Sequence, residues 1–88
     1  MPINENFILK HVGNDYMIIP TTSNNINMDR IFNTNEVGGA IYNYLKLNKT
    51  VDEIVNLLQK EYNAEKEVIE KDTIEFIGEL KKRGIYTD

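Results

Sequence analysis

The sequence predicts an α+β fold, with a three-stranded antiparallel sheet followed by three helices in the order βββααα. Two observations carry this. Before Thr34, apolar and polar residues alternate and are broken by turn-forming residues, the period-two signature of strands. From Asn35 onward, apolar residues recur at i, i+3, i+4 and i+7 in three successive runs punctuated by capping residues. At 88 residues, a single domain spanning 1–88 is expected. A chain of this size buries roughly 60–65% of its unfolded surface, enough for one modest core and too little to enclose a deep catalytic cavity.

The segment "FILKHV-GND-YMII" reads as a hairpin of Phe7–Val12 and Tyr16–Ile19, because β-branched and aromatic residues flank a Gly-Asn-Asp turn that tolerates left-handed backbone. Alternation places Phe7, Leu9 and His11 on one face and Ile8, Lys10 and Val12 on the other. Both faces are partly apolar, so both are expected to be covered. Pro20 stops the second strand, and "PTTSNNIN" has the composition of an exposed loop. A third strand is expected at Met28–Asn33, with Met28, Arg30 and Phe32 alternating against Asp29, Ile31 and Asn33.

The first helix starts near Asn35, a good N-cap, with Glu36 in its first turn. Its stripe is Val37, Ala40, Ile41, Tyr44 and Leu45. Gly38 and Gly39 each cost about 1 kcal/mol of helix propensity, which close approach of another backbone would explain. "LNK" separates this helix from the next, so the two pack as neighbours. Thr50-Val51-Asp52-Glu53 is a capping box, and Val51, Ile54, Val55, Leu58 and Tyr62 form the second stripe, with Leu57 on its flank. The third helix runs from about Glu65 to Arg83 on Ile69, Thr73, Phe76, Ile77 and Leu80. Gly84 then ends it, and Ile85 and Tyr86 fold back as an apolar tail. The expected core is Phe7, Leu9, Ile18, Val37, Ile41, Leu45, Ile54, Leu58, Phe76, Ile77 and Leu80.

A helix–turn–helix pair suggests DNA, but the charge opposes it. Nucleic-acid affinity comes largely from neutralising phosphates, and ten Lys and Arg stand against fourteen Asp and Glu, for a net charge of −4. The basic run Lys81-Lys82-Arg83 ends a predicted helix, where it complements the helix dipole. A winged-helix transcriptional regulator is therefore the alternative reading. An accessory domain of an enzyme complex with no peptide role is the third.

No cysteine is present, which removes disulfides and thiolate chemistry. No signal-peptide pattern or apolar run near 20 residues is visible, so a soluble cytoplasmic protein is expected. The catalytic inventory is thin. His11 is the single histidine, placed mid-strand, and Ser23, the single serine, lies in the loop. No phosphate loop, His-x-x-x-His or EF-hand pattern occurs. No catalytic residue, metal or cofactor is expected. Asp72, Glu75 and Glu79, with Glu65, share a helix face that is either a solvated surface or the acidic wall of a groove. Binding by shape remains: a small sheet leaves an edge strand, to which an extended peptide or a second copy in a homodimer can add.

Four segments, in order, resemble the PqqD family. "VGNDYMIIP" resembles its Val-Gly-x-x-Tyr-x-x-x-Pro hairpin, and "NEVGGAIYNYL" its Asn-Glu-x-Gly-x-x-Ile-Trp-x-x-Leu helix start. "KTVDEIVNLLQKEYNA" resembles its Thr-Val-x-Glu-Ile segment, and "DTIEFIGELKKRGIY" its Asp-Val-x-x-Phe-Leu-x-x-Leu-x-x-x-Gly-Leu ending. Thr34 stands where the family usually has Leu, and Tyr42 where Trp is common. The resemblance implies a winged-helix-like domain that recognises the leader of a ribosomally made precursor peptide, in pyrroloquinoline quinone (PQQ) biosynthesis or another peptide natural-product pathway. It further implies that the domain presents the peptide to a modifying enzyme, often a radical S-adenosylmethionine protein. The leader would add to the third strand and pack against the third helix. On this sequence that implies a groove between Asn27, Met28, Asp29, Arg30, Ile31 and Phe32 on one side and Asp72, Glu75, Phe76 and Glu79 on the other. Met28 and Ile31 would meet leader side chains, Arg30 would clamp a carboxylate, and the three acidic residues would favour Lys or Arg in the leader. Phe76 is either the floor of that groove or pure core.

Overall fold

The structure is a computed structural model that describes residues 3–21 and 31–87. The hairpin forms where alternation predicts it. β1 (Phe7–Val12) and β2 (Asp15–Pro20) pair antiparallel from Phe7↔Pro20 to Val12↔Asp15. This register leaves Gly13-Asn14 as the turn, one residue shorter than expected. Gly13 holds φ at 61°, the left-handed conformation that the first position of a tight hairpin turn requires and that a side chain disfavours.

β3 (Phe32–Thr34) pairs antiparallel with β2 through Ile18↔Phe32, Met17↔Asn33 and Tyr16↔Thr34, giving the sheet order β1-β2-β3. The third strand therefore lies later than the predicted Met28–Asn33. Ile31 precedes it and Thr34 belongs to it, while Asn27, Met28, Asp29 and Arg30 lie outside the described residues. Which face is buried sets the register. Phe32 lies opposite Ile18, which is fully buried, and Thr34 opposite Tyr16, so both are on the core side. The chain then turns at once into the cap of the first helix. Alternation alone cannot fix such a register, because Met28, Arg30 and Phe32 repeat with the same period.

Only one face of the sheet is covered by the described residues, contrary to expectation. Phe7 and Ile18 are buried on the inner face, while Ile8 and Val12 on the outer face are 38% and 59% exposed. The three helices all lie after the sheet, and their apolar stripes are consumed by one another and by the inner face.

α1 (Glu36–Lys46) begins where Asn35 accepts a hydrogen bond from the Gly38 N–H at 2.9 Å. α2 (Val51–Tyr62) has both bonds of the capping box: the Glu53 N–H donates to Thr50 Oγ1 at 3.2 Å, and the Thr50 N–H donates to Glu53 Oε1 at 2.9 Å. The Thr50 backbone and hydroxyl hold the Glu53 carboxyl below its ordinary range. α3 (Lys66–Lys82) ends in a Schellman turn: the Gly84 N–H reaches Lys81 O at 3.1 Å and the Ile85 N–H reaches Leu80 O at 2.9 Å, with Gly84 at φ 73°. The turn drives Ile85 into the core, where it is fully buried, and lets Tyr86 bridge to Ile3. The apolar tail predicted at Ile85 and Tyr86 thus stitches the two ends of the described chain together.

The core contains Phe7, Ile18, Ile41, Leu45, Ile54, Leu58, Ile77 and Leu80, as expected. Leu9, Val37 and Phe76 are half-buried instead. Tyr42, absent from the expected stripe, is fully buried. Its hydroxyl donates to Phe7 O at 3.2 Å, linking α1 to β1, and burial raises its pKa. No helix among the described residues is long and apolar enough to cross a membrane.

Two substitutions test this packing. Leu58 is 1% exposed, so Leu58→Ala should lower unfolding free energy by about 2–5 kcal/mol in urea titration; a loss within about 0.5 kcal/mol would place it at the surface. Thr73 is fully buried on α3, and its hydroxyl has no hydrogen-bond partner among the described residues. Thr73→Val keeps the shape and removes the unsatisfied donor, so it should raise stability by about 1 kcal/mol. A drop of that size would show that the hydroxyl is bonded.

Candidate functional site

β3 is an edge of the sheet: β2 occupies one side, and no strand among the described residues pairs with the other. Between this edge and α3 lies an open groove of about 450 Å³. Thr34 and Asn35 form one wall. Asp72, Glu75 and Glu79, one helical turn apart along α3, form the other. Val37, Gly38, Ile41 and Phe76 form the floor.

The floor owes its shape to Gly38. A Cβ at this position would stand 1.9 Å from Thr34 Oγ1 and 2.9 Å from Phe76 Cε1. The helix sacrifices propensity so that the β3 hydroxyl and the α3 ring can converge on α1. At Gly39 the intruding group is the Tyr16 ring, 2.9 Å from where a Cβ would be. The close approach expected at this glycine pair is real, but it involves side chains rather than another backbone.

An aromatic and ionic stack closes one end of the groove. The Phe32 and Phe76 rings stack with centroids 5.6 Å apart and planes 25° from parallel. The Arg83 guanidinium lies 4.5 Å from the Phe32 ring centroid, and its Nη2 is 3.9 Å from Glu79 Oε1. Arg83, read from sequence as a partner of the helix dipole, thus also fixes Phe32 and shares the charge of Glu79.

The structure brings together Phe32, Asp72, Glu75, Phe76 and Glu79 of the residues predicted from sequence. Phe76 is both floor and core flank, which is why it is half-buried. Ile31 sits half-buried just before β3, while Asn27, Met28, Asp29 and Arg30 fall outside the described residues. Thr34, Asn35, Val37, Gly38, Ile41 and Arg83 were not among the predicted site residues. The paired glycines in a helix's first turn were the signal for Gly38, since only a close neighbour explains them. Among the described residues, no three His, Cys, Asp or Glu side chains gather where they could hold a metal ion. His11 stacks on Tyr16 at 4.0 Å between centroids, on the inner sheet face.

The chain matches the family model described as coenzyme PQQ synthesis protein D (PqqD) over residues 20–85, from the end of β2 through Ile85. It belongs to the PqqD family. The matched span contains every groove residue named above. Among solved structures, TbiB1 in complex with the TbiA(beta) leader peptide aligns with a TM-score of 0.76 at 21% identity, covering 98% of this chain and 94% of that one. At that identity the likeness is one of fold, and it extends through the sheet and all three helices. No curated protein matches the chain.

Within this PqqD-family chain, two glycines separate the groove's demands from ordinary helix propensity. A Cβ added at Gly78 on α3 would meet no atom within 4 Å, so Gly78→Ala should stabilise by up to about 1 kcal/mol. Gly38→Ala should destabilise by about 1–3 kcal/mol despite the same propensity gain, because Thr34 and Phe76 must move. Equal effects of the two in chemical denaturation would show that the convergence on Gly38 is not constrained.

Proposed function

We propose that this chain is a non-catalytic adaptor that binds the leader of a ribosomally made precursor peptide and presents it to a modifying enzyme. The carrying observation is the groove itself: an unpaired strand edge faces a helix wall across an apolar floor. An extended peptide laid in it gains two kinds of contact at once. Its backbone groups pair with the outward N–H and C=O groups of β3, which supplies affinity with little dependence on sequence. Its alternate side chains meet Phe76, Val37 and Ile41 on one side and solvent on the other, which supplies selectivity. The fold resemblance to a protein solved with a leader peptide supports this reading, as does membership of the PqqD family.

Recognition of the leader would use Asp72, Glu75 and Glu79 against Lys or Arg on the peptide, and Arg83 to hold Phe32 in place. Ile31, next to β3, would also meet the leader, as would Asn27, Met28, Asp29 and Arg30. The modifying enzyme, of radical S-adenosylmethionine type, would take the core segment that protrudes from the groove, and residues 1–88 would act as one recognition domain in the cytoplasm. DNA binding is disfavoured: the groove wall is acidic and the net charge is −4.

The test is titration of a synthetic leader, taken from a precursor peptide encoded beside this chain's gene, with amide exchange and chemical shifts read by NMR. At least one amide among Phe32, Asn33 and Thr34 should exchange quickly in the free protein and slowly in the complex, and shifts should concentrate there and along Asp72–Glu79. Glu75 is exposed, so Glu75→Lys should leave folding stability within about 0.5 kcal/mol while weakening a basic leader, and added salt should weaken the wild-type complex. Saturating leader without protection in β3 would contradict the proposal.

A further inference from the structure

The groove does not end at α1. Past Asp72 it runs into a second, smaller pocket of about 140 Å³ between the end of α2 and the start of α3. Val37, Leu58, Tyr62, Ala64, Val68 and Ile69 line this pocket, and Val37 and Asp72 belong to both cavities. The two cavities differ in chemistry. Three carboxylates wall the first. The second is lined by apolar side chains, the Tyr62 ring with its hydroxyl, and Asp72, which stands on the boundary between them. An apolar cavity of roughly 150 Å³ accommodates a benzene-sized group, so this pocket fits one bulky aliphatic or aromatic side chain. Val68 stands at its mouth with 51% exposure, an apolar side chain left facing water on a helix whose other exposed positions are largely charged.

Resting on the peptide-binding reading above, we propose that the bound segment is bipartite. A bulky apolar residue anchors in the pocket of Leu58, Tyr62, Ala64, Val68 and Ile69, and a Lys or Arg three to four residues away lies over Asp72, Glu75 and Glu79. The spacing follows from the helix. Ile69 and Phe76 mark the centres of the two cavities on α3, and seven helical residues span roughly 10 Å at about 1.5 Å each. An extended peptide covers that distance in about three residues at about 3.3 Å each. Asp72, between the cavities, faces the residue that links anchor and base. The pocket lies beyond Thr34 in the direction of β3, so the anchor sits outside the paired strand and selects sequences that strand pairing alone would not distinguish.

The test uses a random dodecapeptide library displayed on phage and selected on the wild-type protein. Enriched clones should carry a bulky apolar residue with Lys or Arg three or four positions away. A synthetic peptide from the leading clone should then bind Ala64→Leu, which fills the pocket, on the order of tenfold more weakly than wild type, as expected for loss of one buried side chain. Val68→Gln, at the exposed rim, adds no charge and should also weaken it, and it guards against misfolding of the first variant; thermal melts of both establish folding. The same peptide with its anchor changed to Ala should bind wild type and both variants alike. Enriched clones without the apolar–basic pairing, or folded pocket variants that keep wild-type affinity, would overturn the bipartite site while leaving peptide binding intact. Failure of any clone to enrich on wild type would overturn peptide binding and the bipartite site with it.

Discussion

The convergence of Thr34 and Phe76 on Gly38 is the constraint on which the rest of the architecture depends. Three elements meet at a single missing Cβ: the last residue of the edge strand, the first turn of α1, and the middle of α3. Without that space β3 could not lie so close to α1, and α3 could not approach both. The contact sets the width of the groove, because it fixes the distance between the strand edge and the acidic face of α3. It also explains why a short, weakly pairing strand of three residues holds its place. The Phe32 ring stacks on Phe76 beneath Arg83, and its backbone pairs with β2 at fully buried Ile18.

The remaining core serves this junction. α2 does not border the strand edge; it packs Ile54, Val55 and Leu58 beneath α1 and α3 and so sets the angle between them. Its capping box and the left-handed Asn63 at its end fix where it starts and stops. The Schellman turn after α3 returns Ile85 to the core and brings Tyr86 to Ile3, so α3 cannot slide along its axis without breaking the chain's other end. The helix pair that resembles a DNA-reading motif in sequence is thus a brace. Its first helix supplies Val37, Gly38 and Ile41 to the groove floor, while the acidic wall comes from α3.

Much of this was legible in the sequence because it rests on local chemistry. The hairpin, the Asn35 cap, the capping box at Thr50 and the stop at Gly84 each follow from a few neighbouring residues, and each formed where expected save that the hairpin turn is one residue shorter. The acidic face of α3 and Phe76 were placed in the groove by helical spacing once a family resemblance pointed to that face. What the sequence concealed depends on partners distant in the chain. The register of β3 was set by Ile18 and by the abrupt start of α1, neither of which alternation reveals. Tyr42 lies off the apolar stripe of α1, and it is buried because its hydroxyl finds the Phe7 carbonyl. Arg83 reads as a helix-end cation until Phe32 is brought beneath it. The outer sheet face looked apolar enough to need a cover, but the three helices had already spent their apolar faces elsewhere.

The central claim is that an extended peptide joins the sheet at β3 and lies against α3. The most direct measurement is a set of isotope-filtered nuclear Overhauser contacts between an unlabelled leader and the labelled protein. Strand-to-strand contacts should run from the leader backbone to Phe32, Asn33 or Thr34, together with contacts from its side chains to the Phe76 ring. Contacts confined to β1, or to the exposed face carrying Ile8 and Val12, would contradict the claim.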